Sequence, residues 1–475
     1  MAADERDGAG SHRNGNGRAR GRGRSHRGRS TAINPGPPVR PSRALGQNFL
    51  QDAEVARWIS DQLPVAADDL VVELGPGGGA LTEWLIGRGR RLLAIERDDR
   101  LAAALAGRWG TDQLEVVAAD GAAFDRRPLF AEAPVRLVGN LPYSVGTQLL
   151  LAWLRPPSPV ATAVLMLQKE VVNRLCAAPG GGDYGSLTLQ VGLDWLARPL
   201  RTVGPEVFKP RPAVDSAVVL LEPRPPGSRP PVDRSRFETM VRIGFSQRRK
   251  QVKNLLPPPP AGVPEWPELA RRLGCAETAR AQELDLDQWI TLTNIHNGAG
   301  ADGGGAVGQR DDELFDVVDE RDQVVGTASR GEVHARGMRH RAVHIFLCNR
   351  DGEVWLQKRS HLKDRQPLKW DSSAAGHVDA GESYDRAAAR EVAEELGLDL
   401  PLVEVGALPA SAETDQEFVR LYRAGWNGKP LRYPPAEIDC GEFFTIEQID
   451  RWAEARPGDF APGFLACWRL YRGCG

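Results

Sequence analysis

Leu70-Val-Val-Glu-Leu-Gly-Pro-Gly-Gly-Gly79 decides how the first half of this 475-residue chain is read. Leu70 to Leu74 is a short apolar run bounded by a turn signal, the pattern of a strand buried on both faces. The glycines that follow let the backbone turn sharply and approach a ligand closely. A helical pattern from about Ala80 to Gly87 comes next. Strand, glycine turn and helix in that order open a dinucleotide- or nucleoside-binding α/β unit.

Three further strands follow. Arg91-Leu-Leu-Ala-Ile-Glu96 ends in an acidic residue about 20 positions beyond the glycine turn, where a carboxylate takes ribose hydroxyls. Leu114 to Ala118 leads to Asp120. Val135-Arg-Leu-Val138 runs into Gly139-Asn140-Leu141-Pro142-Tyr143. Four successive strands therefore carry a glycine or polar feature at their carboxyl ends, the ligand side of open parallel sheets. Pro142 fixes its own φ and holds Leu141 extended. The stiff loop aims the Asn140 side-chain oxygen and a main-chain carbonyl at one point. Two acceptors on an exocyclic amine favour a pyramidal nitrogen with a localised lone pair. Tyr143 is placed to stack on a base taken out of its helix. Taken alone, the string also reads as a turn after a strand.

Length suggests two to four domains. Hydrophobic residues at 41% and charged residues at 26% are ordinary for a globular protein. Six scattered cysteines, none in a CxxC pair, indicate neither a disulfide framework nor a zinc site. A reducing cytoplasm fits. No apolar run reaches bilayer length and no secretory signal is read, so no membrane partner is expected. Residues 1–41 hold nine arginines against Asp4, Glu5 and Asp7. This segment has too few apolar residues for a core and is expected to be a disordered Arg/Gly-rich tail. Arg248, Arg249, Lys250 and Lys253 form a dense basic run suited to phosphate contacts; a solvated helix face is the plain alternative.

From Arg43 to about Trp289 the chain resembles the ribosomal RNA adenine N6-dimethyltransferases that act on small-subunit RNA. The matching pieces are Leu45-Gly-Gln-Asn48-Phe-Leu50, Glu73-Leu-Gly75-Pro-Gly77, Glu96, Asp120 and Asn140-Leu-Pro-Tyr143. Gln168-Lys-Glu170, Tyr184-Gly-Ser-Leu187, Phe208 to Ser216 and Phe245-Ser-Gln-Arg-Arg-Lys250 follow in the family's order. The resemblance implies S-adenosyl-L-methionine as methyl donor. Asn48 and Leu50 would close over it, Gly75 approach its amino acid part, Glu96 bind its ribose and Asp120 hold its adenine. Asn140 would stand between donor and target base, with Leu141, Tyr143 and Phe208 as the other catalytic candidates. The implied substrate is two adjacent adenines of small-subunit ribosomal RNA in a pre-30S particle. Adenine-specific DNA methyltransferases are the runner-up; they usually carry a proline where Leu141 stands.

Gly376, five residues, Glu382, seven residues and Arg390-Glu391-Val-Ala-Glu394-Glu395-Leu-Gly397 make a second centre. The segment from about Tyr384 to Leu396 is helical in composition and Gly397 ends it. Glu391, Glu394 and Glu395 then share one helix face. Three adjacent carboxylates call for a hard divalent cation, Mg²⁺ or Mn²⁺. The frame matches the Nudix box, which implies hydrolysis of a diphosphate-containing small molecule. Asp316 to His344 and Trp370 to His377 resemble the isopentenyl-diphosphate isomerase branch, and His334, His340 and His377 fall near that branch's metal-binding histidines. Ala375 stands where the isomerase needs a cysteine, so hydrolysis is preferred. Glu437 and Glu442 are candidates for a further carboxylate.

The expected architecture is α/β throughout. It comprises a Rossmann-like methyltransferase domain over 42–225, a helical RNA-binding subdomain over 226–296, a flexible linker over 297–310 and an α/β/α Nudix domain over 311–475. A cytoplasmic, monomeric, bifunctional enzyme is expected. The competing reading is a ribosome-assembly RNA-binding factor with a Nudix sensing module.

Overall fold

The computed structural model describes residues 47–109, 112–258, 262–298 and 311–474. The tail expected over 1–41, and the expected linker beyond Gly298, lie outside the described residues.

Seven strands form the first sheet: β1 (Leu70–Leu74), β2 (Arg91–Glu96), β3 (Leu114–Ala118), β4 (Val135–Asn140), β5 (Val160–Gln168), β6 (Trp195–Val203) and β7 (Ser216–Pro223). Their order is β3-β2-β1-β4-β5-β7-β6. The first five pair in parallel, and β7 runs antiparallel to both its neighbours. All five residues of β1 are buried, Glu73 included, as befits a central parallel strand. Period-two alternation divides the core between two faces. Leu70, Val72 and Leu74 pack with Leu93, Ile95 and Trp153 on one side; Val71 and Leu92 pack with Ile59 and Leu85 on the other. The strand order switches direction between the parallel β1 and β4, so a crevice opens beyond their carboxyl ends.

Helices Arg234–Gly244, Trp266–Leu273 and Leu286–His296 make a small bundle around the fully buried Phe237 and Trp289. The last of these helices begins at Leu286. The Asp285 carboxylate caps it by accepting from the Gln288 amide, and a short 3-10 turn fills Ala281–Glu283.

The C-terminal part holds a hairpin, β8 (Leu314–Val318) and β9 (Val324–Ser329), and a second seven-stranded sheet. That sheet comprises β10 (His340–Cys348), β11 (Val354–Arg359), β12 (Trp370–Asp371), β13 (Ala374–His377), β14 (Leu402–Leu408), β15 (Glu417–Gly425) and β16 (Ile438–Phe444). Its main path is β12-β11-β10-β15-β14, with β13 on β10 and β16 on β11. Helix Tyr384–Leu396 covers one face, and Ile446–Ala455 and Pro462–Gly473 cover the other. The result is the expected α/β/α layering. Among the described residues, no helix is long and apolar enough to cross a membrane.

Glu73 lies within the buried β1 and accepts a hydrogen bond from the Thr82 hydroxyl at 2.7 Å. Burial pushes its carboxyl group up to about 8 from the ordinary 4.5. Between those values the folded protein keeps a proton that the unfolded chain has released. Stability therefore falls as pH rises through that window, by at most about 1.4 kcal/mol per pH unit. Glu73→Gln is expected to flatten this slope between pH 5.5 and 7.5 in urea unfolding. Equal slopes in the two proteins would contradict the assignment.

Candidate active sites

The first site sits at the carboxyl ends of β1, β2 and β4. Gly75 and Gly77 adopt φ of 63° and 55°, a conformation costly for other residues. The turn is stitched to β2. Glu96 accepts from the Gly77 amide at 3.0 Å and from the Asp98 amide at 2.9 Å. Burial raises the Glu96 carboxyl group, and these backbone donors oppose the rise. Asp120, beyond β3, is exposed, accepts from the Ala122 amide at 2.9 Å and lies 3.6 Å from Arg97.

A strap formed by Gln47 to Leu50 crosses the crevice. Phe49 and Leu50 pair with Lys209 and Phe208 in a two-stranded ribbon. A Cβ added at Gly77 would come within 2.9 Å of the Phe49 ring, so the strap rests on the glycine turn. The Asn140 side-chain nitrogen donates to the Asn48 carbonyl at 3.3 Å. That bond orients the amide and leaves its oxygen to accept from another group. The Leu141 amide donates to the Met166 carbonyl at 3.0 Å, fixing the start of the loop to β5. Tyr143 is half-buried, and its hydroxyl lies 2.5 Å from that of the fully buried Ser216. The loop, the strap and the glycine turn thus converge as expected. Phe208 differs. It is only 4% exposed and packs with Leu50 and Met166, so it is covered rather than offered to a base.

The basic run lies just beyond helix Arg234–Gly244, on turns rather than on a continuous helix. Arg248, Arg249, Lys250 and Lys253 are all exposed. Arg248 donates to the Gly182 and Tyr184 carbonyls at 2.8 and 2.9 Å and so also anchors a loop.

The second site is a cavity of about 650 Å³ in the C-terminal domain. Helix Tyr384–Leu396 starts at the Ser383 cap and ends at Gly397, with φ of 67°. Glu391 and Glu395 are buried and Glu394 is exposed. A Cβ on Gly376 would overlap the Glu391 carboxylate, which explains the glycine at that point of the frame. Arg390 ties loop to helix, donating to Glu382 at 3.0 Å, to the His377 carbonyl at 2.9 Å and to Glu391 at 2.7 Å. Glu395 accepts from the Ala375 amide at 3.1 Å and from Gln357 at 3.2 Å. Burial pushes the Glu391 and Glu395 carboxyl groups up; Glu395 adds to the first shift and Glu437 to the second. Such a set fits a divalent cation, whose charge offsets the mutual repulsion. Of the two candidate extra carboxylates, Glu437 lines the cavity, where it pairs with Lys363.

His334 and His377 line the same cavity, and the buried His340 lies against them. Ligand nitrogens of His334, His340 and His377 lie within 4.8 Å of one another. Glu417 joins them, 3.2 Å from His377 and 3.5 Å from His340. His334 Nε2 and His340 Nε2 are buried without a hydrogen-bond partner. Burial, then the neighbouring His377 and His340, pushes His334 down to about 3. Burial also lowers His377. Burial tends to raise the Glu417 carboxyl group, but the neighbouring His340 and His377 hold it well below the usual range. Imidazoles with orphaned nitrogens beside a carboxylate fit a transition-metal ion. Glu417 escaped sequence reading because strand register, His340 opposite Glu417 in the parallel β10–β15 pair, brings it there.

Comparison with known proteins follows the same division. Residues 40–297 match the family model described as ribosomal RNA adenine dimethylase, and residues 338–464 match that of the NUDIX domain. The ribosomal RNA small subunit methyltransferase A of Methylobacterium radiotolerans is 42% identical over 274 residues, covering 55% of this chain and 92% of that protein. Its namesake from Bordetella pertussis is 40% identical over 263 residues, covering 55% and 96%. Among solved structures, a dimethyladenosine transferase from Plasmodium falciparum is 24% identical with a TM-score of 0.44, covering 53% of this chain and 98% of that one. DR0079 from Deinococcus radiodurans is 32% identical with a TM-score of 0.31, covering 34% and 99%.

Gly376→Ala tests the second site's construction. The added methyl displaces Glu391, and Mn²⁺ affinity of the full chain should fall about tenfold or more by calorimetry, with circular dichroism unchanged. Unaltered affinity would contradict the role given to Glu391.

Proposed function

The chain belongs to the ribosomal RNA adenine dimethylase family and continues into a NUDIX domain, and from that membership we propose an enzyme of two activities. The first transfers methyl groups to N6 of two adjacent adenines of small-subunit ribosomal RNA, in the cytoplasm. The second hydrolyses a diphosphate-containing small molecule. The observation that carries the first reading is the Asn140 amide, oriented by the Asn48 carbonyl at the carboxyl end of β4, beside the glycine turn and Tyr143.

The residues around the crevice fit S-adenosyl-L-methionine: Gly75 and Gly77 for close backbone approach, Glu96 for ribose, Asp120 for the adenine, Asn48 and Leu50 as cover. The bound donor supplies a methyl group already activated by a sulfonium. The chain's own task is positioning and exclusion of water. Asn140 accepts from the target amine through its side-chain oxygen, and Leu141 offers its main-chain carbonyl as second acceptor. Tyr143, held through its hydroxyl by Ser216, stacks on the extruded base. Arg249, Lys250 and Lys253 take RNA phosphates, with Arg248 shared between phosphate and loop.

In the NUDIX domain, Glu391, Glu394 and Glu395 would hold Mg²⁺ or Mn²⁺, which supplies charge to the diphosphate and activates water. Arg390 and Glu382 keep these carboxylates in place, and Glu437 sits across the cavity from them with Lys363. A second metal position is favoured by the orphaned nitrogens of His334 and His340. Hydrolysis is preferred to isomerisation because Ala375 brings no thiol to the cavity.

Asn140→Ala is expected to abolish methyl transfer to small-subunit RNA while RNA binding in gel-shift titration persists. Normal methylation by that variant would remove Asn140 from the mechanism. Glu394→Gln with Glu395→Gln should eliminate metal-dependent diphosphate hydrolysis, scored as released phosphate over a panel of nucleoside and prenyl diphosphates. An unaffected rate would refute the metal assignment.

A further inference from the structure

A loop on the underside of the first sheet carries chemistry that methyl transfer does not use. It runs from Asp125 to Pro134 and leads into the amino end of β4, so it lies opposite the donor crevice. Phe130 on this loop is 7% exposed, and what buries it is the C-terminal domain. Its ring lies 4.8 Å from that of Trp452 and meets Trp370 and Phe444 edge-on, each at 5.6 Å. A large aromatic seated in an aromatic pocket is the anchor expected of a stable interface.

Polar groups surround this anchor. Arg127 pairs with Glu353 at 2.6 Å and donates to the Phe443 carbonyl at 2.9 Å. Gln448 donates to Asp125 at 3.2 Å, and Arg456 donates to the Ala133 carbonyl at 2.5 Å. An apolar centre with a polar rim is the anatomy of a specific contact.

The same domain reaches a second place. Residues 224–233 connect β7 to helix Arg234–Gly244 and so join the methyltransferase sheet to the helical bundle. Arg229 and Arg234 both pair with Asp194, just before β6. Against this hinge the C-terminal domain places His361, whose ring would lie 3.6 Å from a Cβ on Gly227. It also places Asp439, whose charge favours that of Arg229. One body therefore touches both the sheet and the connection to the bundle that carries the basic run.

We infer that the C-terminal domain is a brace docked in cis through Phe130, holding the angle at which the helical bundle leaves the methyltransferase sheet. The angle matters because the bundle's exposed basic residues and Asn140 must engage one RNA together. This inference does not depend on what the NUDIX cavity hydrolyses.

Hydrogen exchange read by mass spectrometry on the full chain tests the brace. Arg127→Glu should speed exchange about tenfold or more at residues 224–234 as well as at 444–460. Glu353→Arg should do the same. Combining the two restores the pair with its charges swapped, and exchange at both segments should return toward wild type. Phe130→Ala should loosen both segments as well; if it does not fold, the charge-swap set decides alone. Unchanged exchange at 224–234 in Arg127→Glu, whether or not 444–460 loosens, would overturn the proposal.

Discussion

A carboxylate taken out of water has to be met by donors or by a cation, and both halves of this molecule are arranged around that requirement. Glu96 is held by two backbone amides, one of them from the glycine turn itself. The bond that satisfies the acid therefore also shapes the turn. Glu73 keeps company with a hydroxyl, and burial raises its proton affinity. In the C-terminal domain Glu391 and Glu395 are more crowded, and Arg390 reaches only the first directly. Their remaining demand for positive charge is why the cavity suits a divalent cation.

The two centres use opposite means to one end. The methyltransferase crevice presents neutral acceptors and an aromatic face, which suits an amine and a stacked base. The NUDIX cavity gathers acids, imidazoles, Lys363 and several arginines, which suits metal-bridged phosphate chemistry. Nothing in either centre needs the other's residues. What joins them is the apolar seat of Phe130, a residue that belongs to none of the motifs that announce an activity.

Motif-scale features were legible in the sequence because local spacing sets them. The glycine turn, Glu96 and the loop from Asn140 to Tyr143 follow strands whose apolar runs are unambiguous. The face shared by Glu391, Glu394 and Glu395 follows from helical periodicity. Features set by long-range packing were not legible. Phe208 was a catalytic candidate by resemblance, yet it is paired opposite Leu50 and buried. Arg248 looked like a free phosphate contact, yet it also ties down the loop at Gly182. Glu417 joins the histidines only through the register of two parallel strands, and Phe130 finds its pocket more than 200 residues away. Spacing rules do not reach such distances.

The most direct measurement is mass-spectrometric mapping of methylated adenines. Small-subunit ribosomal RNA from an unmethylated source would be incubated with the full chain and S-adenosyl-L-methionine. The account predicts N6-dimethyladenosine at two neighbouring adenines and nowhere else in that RNA. Methyl groups appearing on duplex DNA adenines instead, or RNA bound without any transfer, would contradict it.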